Sequence, residues 1–208
     1  MEERQVRVPC GDLLLEGRLA YGSGFGALLC HPHPLYGGCM EDYVVMTGWK
    51  ALVALGGSVL RFNFRGVGSS QGEPGEGEGE VEDVRAAMRF LQTEARCTPS
   101  RTLLLGYSFG AWVGLRALAL ESEILGWVTL APPVAVWDLS FASLLGGRKL
   151  VVAGDRDPLC GHEPLARFVA CLSEPKETVI LSGADHFFRG WESKLRELIQ
   201  NRVASWVH

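Results

Sequence analysis

The stretch TLLLGYSFGAWVGL, residues 102–115, opens on an apolar run short enough for a buried strand. It closes on a second apolar run that reads as a helix over residues 111–120. Only Gly106-Tyr107-Ser108-Phe109-Gly110 separates the two, so the chain must turn sharply at Ser108. Small residues on both sides of the serine permit such a turn, which strains the residue at its apex. The turn sets Ser108 at the start of a helix, where unpaired backbone N–H groups favour negative charge.

The same alternation extends outward in both directions. Residues 26–30, 58–64, 125–130, 149–153 and 177–181 read as strands. The inner ones are continuous apolar runs, as strands covered on both faces must be. Helices are predicted over residues 41–55, 80–95, 163–172 and 191–207, with Val81, Val84, Met88 and Leu91 at helical spacing in the second. The last carries Trp191, Leu195, Leu198, Ile199, Val203 and Trp206 on one stripe. Residues 4–9 and 12–21 form a hairpin at Cys10-Gly11. The prolines of His31-Pro32-His33-Pro34 make residues 31–38 a loop. Strands alternating with helices predict an α/β doubly wound sheet, mostly parallel, with helices on both faces and an antiparallel N-terminal edge. Such sheets work at the carboxyl ends of their strands.

Length and composition agree with one domain spanning residues 1–208. Of 208 residues, 47% are hydrophobic and 21% charged, with a net charge of −4. That excludes a disordered chain, and without a Lys/Arg cluster neither nucleic acid nor an anionic membrane is the expected partner. Six scattered cysteines form no CxxC pair, which predicts reduced thiols and a cytoplasmic protein. The charged start Met1-Glu2-Glu3-Arg4-Gln5 predicts no signal peptide. No apolar run approaches the roughly 18 residues of a spanning helix.

A G-x-S-x-G pattern is weak evidence in a glycine-rich chain: with 26 glycines, about 0.2 matches arise by chance. Gly68-Ser69-Ser70-Gln71-Gly72 is a second match. Context separates them, because Ser70 runs into the Gly/Glu loop of residues 72–80 and not into a helix; that loop reads as a solvated turn or a mobile rim. A serine hydroxyl needs a base to take its proton and a carboxylate to orient that base. In this architecture the chain order is serine, acid, histidine. His162, His186 and His208 lie downstream of Ser108, and His186 follows the last strand, where a site loop belongs. The acid should follow residues 149–153, where Asp155 and Asp157 are both candidates.

Five segments then carry a resemblance: Leu29 to Gly38, RFNFRGVG at 61–68, GYSFG at 106–110, GDRD at 154–157 and GADHFF at 183–188. In this order, over about residues 12–206, the chain resembles the α/β-hydrolase superfamily, and its small lidless serine hydrolases of the dienelactone-hydrolase-like type in particular. The resemblance implies Ser108 as nucleophile, His186 as base and Asp157 as acid, with Asp155 in support. It departs from dienelactone hydrolases proper in having serine and not cysteine at the nucleophile position. An oxyanion hole needs two preorganised donors. The resemblance implies the Phe109 backbone N–H for one; His33 and Leu35 compete for the other, and analogy favours His33. His31 reads as a brace for the loop.

The expected activity is hydrolysis of a small ester, thioester or amide, with no cofactor. The alternative is a non-catalytic binding or scaffold protein on the same fold. Cys30, His31, His33 and Cys39 match no zinc spacing, so no metal is expected, and neither Cys39 nor Cys160 sits in a turn that would make it a nucleophile. Only 49 positions (157 − 108) separate Ser108 from Asp157, too few for a helical lid beside the predicted strand. An open cleft is expected, with Tyr36, Phe109, Trp137 and Phe187 as apolar contacts for a small acyl substrate.

Overall fold

The computed structural model describes residues 3–120 and 123–207. Met1, Glu2 and His208 therefore lie outside the described residues. One eight-stranded sheet, β1 (Glu3–Cys10), β2 (Leu13–Ala20), β3 (Gly26–Cys30), β4 (Ser58–Phe62), β5 (Thr102–Tyr107), β6 (Gly126–Leu130), β7 (Arg148–Gly154) and β8 (Lys176–Leu181), forms the frame. Its order is β1-β2-β4-β3-β5-β6-β7-β8, antiparallel from β1 to β4 and parallel from there on. The strands β3 to β6 are buried at every position, which is why they read as mainly apolar runs; Arg61 in β4 is the charged exception, paired with Glu3 and Glu41. Edge strand β8 is only half-buried.

Handedness of the crossovers decides where the helices go. The step β3→β4 moves toward one edge and β4→β5 moves back across β3. Right-handed connections therefore put α1 (Tyr43–Ala54) on one face and α2 (Glu78–Glu94) on the other. The helix α3 (Phe109–Leu118) packs beside α2, and the closing helix α5 (Glu192–Val207) packs beside α1; α4 (His162–Cys171) precedes β8. The expected stripe of α2 is buried, and α5 buries Leu195, Ile199 and Val203. Burying each of these side chains contributes roughly 1.5–3 kcal/mol.

Most boundaries shift by a residue or two from the sequence reading, and three of the differences have a clear local reason. The strand β4 ends at Phe62 and not at Phe64, because the Phe64 N–H is taken by a histidine ring. The helix α2 starts at Glu78, inside the Gly/Glu loop: buried Glu80 reaches back to accept from the Gly75 and Gly77 N–H groups (2.6 and 3.0 Å), tying down a loop that read as solvated. The helix α3 starts directly after Ser108, at Phe109. Between β6 and β7 the chain forms only a short 3-10 turn, Ser140–Leu144, and no helical lid.

Candidate active site

The carboxyl ends of β3, β5, β7 and β8 deliver His31, Ser108, Asp157 and His186 to one edge of the sheet. Ser108 sits at φ 54°, ψ −119°, a conformation that costs free energy in any residue but glycine. Backbone bonds lock it there: Ser108 N–H donates to Leu130 O (2.9 Å) and Ala111 N–H to Ser108 O (2.9 Å). The flanking glycines are required by close approach. A Cβ on Gly110 would lie 2.3 Å from Cys30 O, and one on Gly106 2.5 Å from Gly110 O.

Ser108 Oγ lies 2.9 Å from His186 Nε2, and His186 Nδ1 lies 2.8 Å from Asp157 Oδ2. A carboxylate only accepts, so Nδ1 carries the proton and Nε2 is left bare to accept from the serine hydroxyl. Asp157 is itself fixed: its Oδ1 accepts from the Leu159 and Cys160 N–H groups (2.8 and 3.3 Å). Burial works to raise the Asp157 carboxyl, but the bond to His186 and its charge, with the Cys160 and Leu159 contacts, outweigh it and hold the group below its ordinary value. Asp155 has other work. It accepts from Gly183 N–H (2.6 Å) and Ser182 Oγ–H (2.9 Å), tying the loop after β7 to the loop that carries His186.

Of the two loop candidates for a second oxyanion donor, the Leu35 N–H is already taken by His33 Nδ1 (3.2 Å). The Phe109 N–H stands at the first position of α3, where no intrahelical partner exists. His31 is fully buried and braces the loop from both ring nitrogens: Nδ1–H donates to Pro32 O (2.6 Å) and Nε2 accepts from Phe64 N–H (3.0 Å). Burial drives its pKa down to about 4. The unfolded chain binds a proton at this residue below about pH 6.5, and the folded chain does so only near 4. The stability tied to neutral His31 is therefore complete above pH 6.5 and is lost as pH falls toward 4, a decrease of about 3 kcal/mol. Urea unfolding at pH 7 and pH 4.5 should show a smaller acid loss in His31→Gln than in the wild type; equal losses would count against the brace.

A cleft of about 210 Å³ opens over Ser108 and His186, and Tyr36 and Phe187 line it as expected. Trp137 does not. It stacks on Trp112 (4.7 Å between rings, 20°) and lines a neighbouring hollow with Phe168 and Arg167. Phe109 is buried beneath the His33 ring (4.5 Å). The second G-x-S-x-G serine is structural: Ser70 Oγ donates to Asn63 O (2.7 Å) and accepts from Glu16 N–H (2.8 Å). Cys160 is buried with its thiol donating to Pro132 O (3.0 Å), and burial pushes that thiol up, away from the reactive thiolate. Reading the sequence missed Asp42, Tyr107 and Leu159, which also line the cleft. Asp42 is at the same time the helix-capping residue just before α1, accepting from Val44 N–H (2.8 Å).

The model of the family described as serine aminopeptidase, S33, matches residues 44–149. A solved structure described as an alpha-beta serine hydrolase homologue from Coxiella burnetii is 36% identical. It covers 96% of this chain and 97% of its own, with a TM-score of 0.86. The chain is an α/β hydrolase of that family. The hydrolase is also similar to a Xanthomonas campestris protein described as a serine hydrolase without lid, with 30% identity, a TM-score of 0.87, and coverage of 99% of this chain and 95% of that one. An uncharacterized protein of Rickettsia prowazekii is 39% identical over 186 residues, 84% of this hydrolase and 78% of the relative. The family match ends before Asp157 and His186, so the contacts of those two residues are what speak for their role.

Proposed function

We propose that this hydrolase cleaves a small ester, thioester or amide through an acyl-enzyme. Ser108 Oγ attacks the acyl carbon while His186 Nε2 takes its proton. The imidazolium so formed is stabilised by Asp157, and it then gives the proton to the leaving group. The Phe109 and His33 backbone N–H groups hold the oxygen as its negative charge develops. Water, activated by His186, releases the acyl group from Ser108. Every step is carried by the chain's own groups.

The observation that supports this most is the unbroken contact from Ser108 Oγ through His186 to Asp157, at 2.9 and 2.8 Å, drawn from three different strand ends. The strained backbone of Ser108 is a second support, since strain of this kind is kept where function over-determines it. With no helical lid over the cleft among the described residues, and with Tyr36 and Phe187 lining it, the substrate is a small molecule with a short acyl group.

The test is turnover. Short-chain p-nitrophenyl esters, acetyl to hexanoyl, should release nitrophenol over many cycles, with a first-turnover burst wherever acylation outruns deacylation. A chain that takes up these esters and the matching thioesters but releases nothing from either is a binding protein on a hydrolase fold.

A further inference from the structure

The cleft over Ser108 holds one carboxylate that the scheme above does not use. Asp42 lines it together with Tyr36, Tyr107, Ser108, His186 and Phe187, and no lysine or arginine lines it. Asp42 Oδ1 caps α1 by accepting from Val44 N–H, with a longer contact to Val45 N–H (3.5 Å). Among the described residues no ion pair neutralises it. Arg189, on the His186 loop, is the nearby cation, and it is engaged by the Phe187 ring (5.3 Å) and the Tyr43 hydroxyl rather than paired with Asp42. Burial raises the Tyr107 hydroxyl, and Asp42, Tyr43, Asp157 and Asp185 all push it further the same way. A half-buried carboxylate with no ion pair among the described residues, in a cleft also lined by Tyr36, Tyr107 and Phe187, is the chemistry that receives an ammonium group.

The position of Asp42 says which part of a substrate it meets. Its neighbour Tyr43 donates its hydroxyl to Phe187 O, and Tyr107 donates to His186 O (3.2 Å). The start of α1 is thus tied to the His186 loop. The leaving group departs on that side, because His186 Nε2 must protonate it. We propose that Asp42 selects substrates whose leaving alcohol, thiol or amine carries a positive charge. This rests on the serine-hydrolase reading above and narrows it.

Acetylthiocholine and its uncharged isostere 3,3-dimethylbutyl thioacetate test the idea, with thiol release followed for both and each kcat/KM scaled to the thioester's own hydroxide-catalysed rate. The wild type should favour the cation by about tenfold, the scale of one partly exposed charge contact with an aromatic neighbour. Asp42→Asn keeps a good helix cap and should bring that ratio close to one, with thermal unfolding unchanged. Glu41→Gln, which removes an exposed carboxylate paired with Arg61 (2.6 Å) outside the cleft lining, should leave the ratio as in the wild type. A wild type without preference, or a ratio that survives Asp42→Asn, overturns the inference and leaves the hydrolase reading standing. Turnover of neither thioester overturns this inference, and turnover that survives Ser108→Ala overturns the serine-hydrolase reading and this inference with it.

Discussion

Ser108→Ala lowers kcat for a short ester by about six orders of magnitude, the size of loss when a triad nucleophile is removed from another serine hydrolase. The reason is local. With the hydroxyl gone, nothing else in the cleft carries a nucleophilic oxygen beside His186 Nε2, which now stands 2.9 Å from that oxygen. Ser70→Ala is the matched control, because it removes the serine of the other G-x-S-x-G match. Its hydroxyl bonds Asn63 O and Glu16 N–H, so its loss costs about 1–3 kcal/mol of stability by leaving those groups unpaired. The Ser70 variant should therefore melt earlier and turn over at the wild-type rate. A Ser108→Ala protein that retains most of its kcat, with the fold intact, would remove Ser108 from the mechanism.

Asp157→Asn should lower kcat by about four orders of magnitude. An amide at this position can donate to His186 Nδ1, which then holds the ring with its proton on Nε2, the wrong nitrogen to accept from Ser108. Asp155→Asn should cost far less. Asp155 touches neither His186 nor Ser108; it accepts from Ser182 and Gly183 and steadies the His186 loop. Its loss should show mainly as a lower melting temperature and a modest rise in KM. If Asp155→Asn proved the more damaging of the two, the acid would be Asp155 and the Asp157 contact incidental.

Those two aspartates also show where sequence reasoning stopped. Both follow β7 within three residues, and residue type and position cannot separate them. What separates them is the curl of the chain after Gly154, in which Asp157 Oδ1 accepts from Leu159 and Cys160 N–H while its other oxygen meets His186. The alternation of strands and helices was legible because β3 to β6 are buried on both faces and are mainly apolar, the buried Arg61 of β4 being held by Glu3 and Glu41. Ser108 and His186 were legible as candidates because Ser108 follows β5 at once and His186 lies on the loop after the last strand, β8. Trp137 was misplaced, since its stack on Trp112 joins α3 to the connection between β6 and β7, a tertiary contact without a periodic signature. Asp42 was missed for the opposite reason. Its role as a helix cap is a sufficient local explanation, and only the folded cleft reveals that the same residue lines it together with Ser108 and His186. The Gly/Glu loop looked unstructured because glycine and glutamate are poor core residues, yet Glu80 is buried and organises it through two backbone bonds.

Covalent labelling measures directly whether Ser108 is an activated nucleophile. A fluorophosphonate reacts with a serine only when a base removes its proton and nearby donors stabilise the developing charge. The native protein should take up one equivalent, with the whole mass increase mapping by peptide mass spectrometry to the fragment that contains Ser108. Labelling should vanish in Ser108→Ala, fall steeply in Asp157→Asn and persist in Ser70→Ala. A folded protein that remains unlabelled, or whose adduct maps to Ser70 or to any residue other than Ser108, would contradict the account.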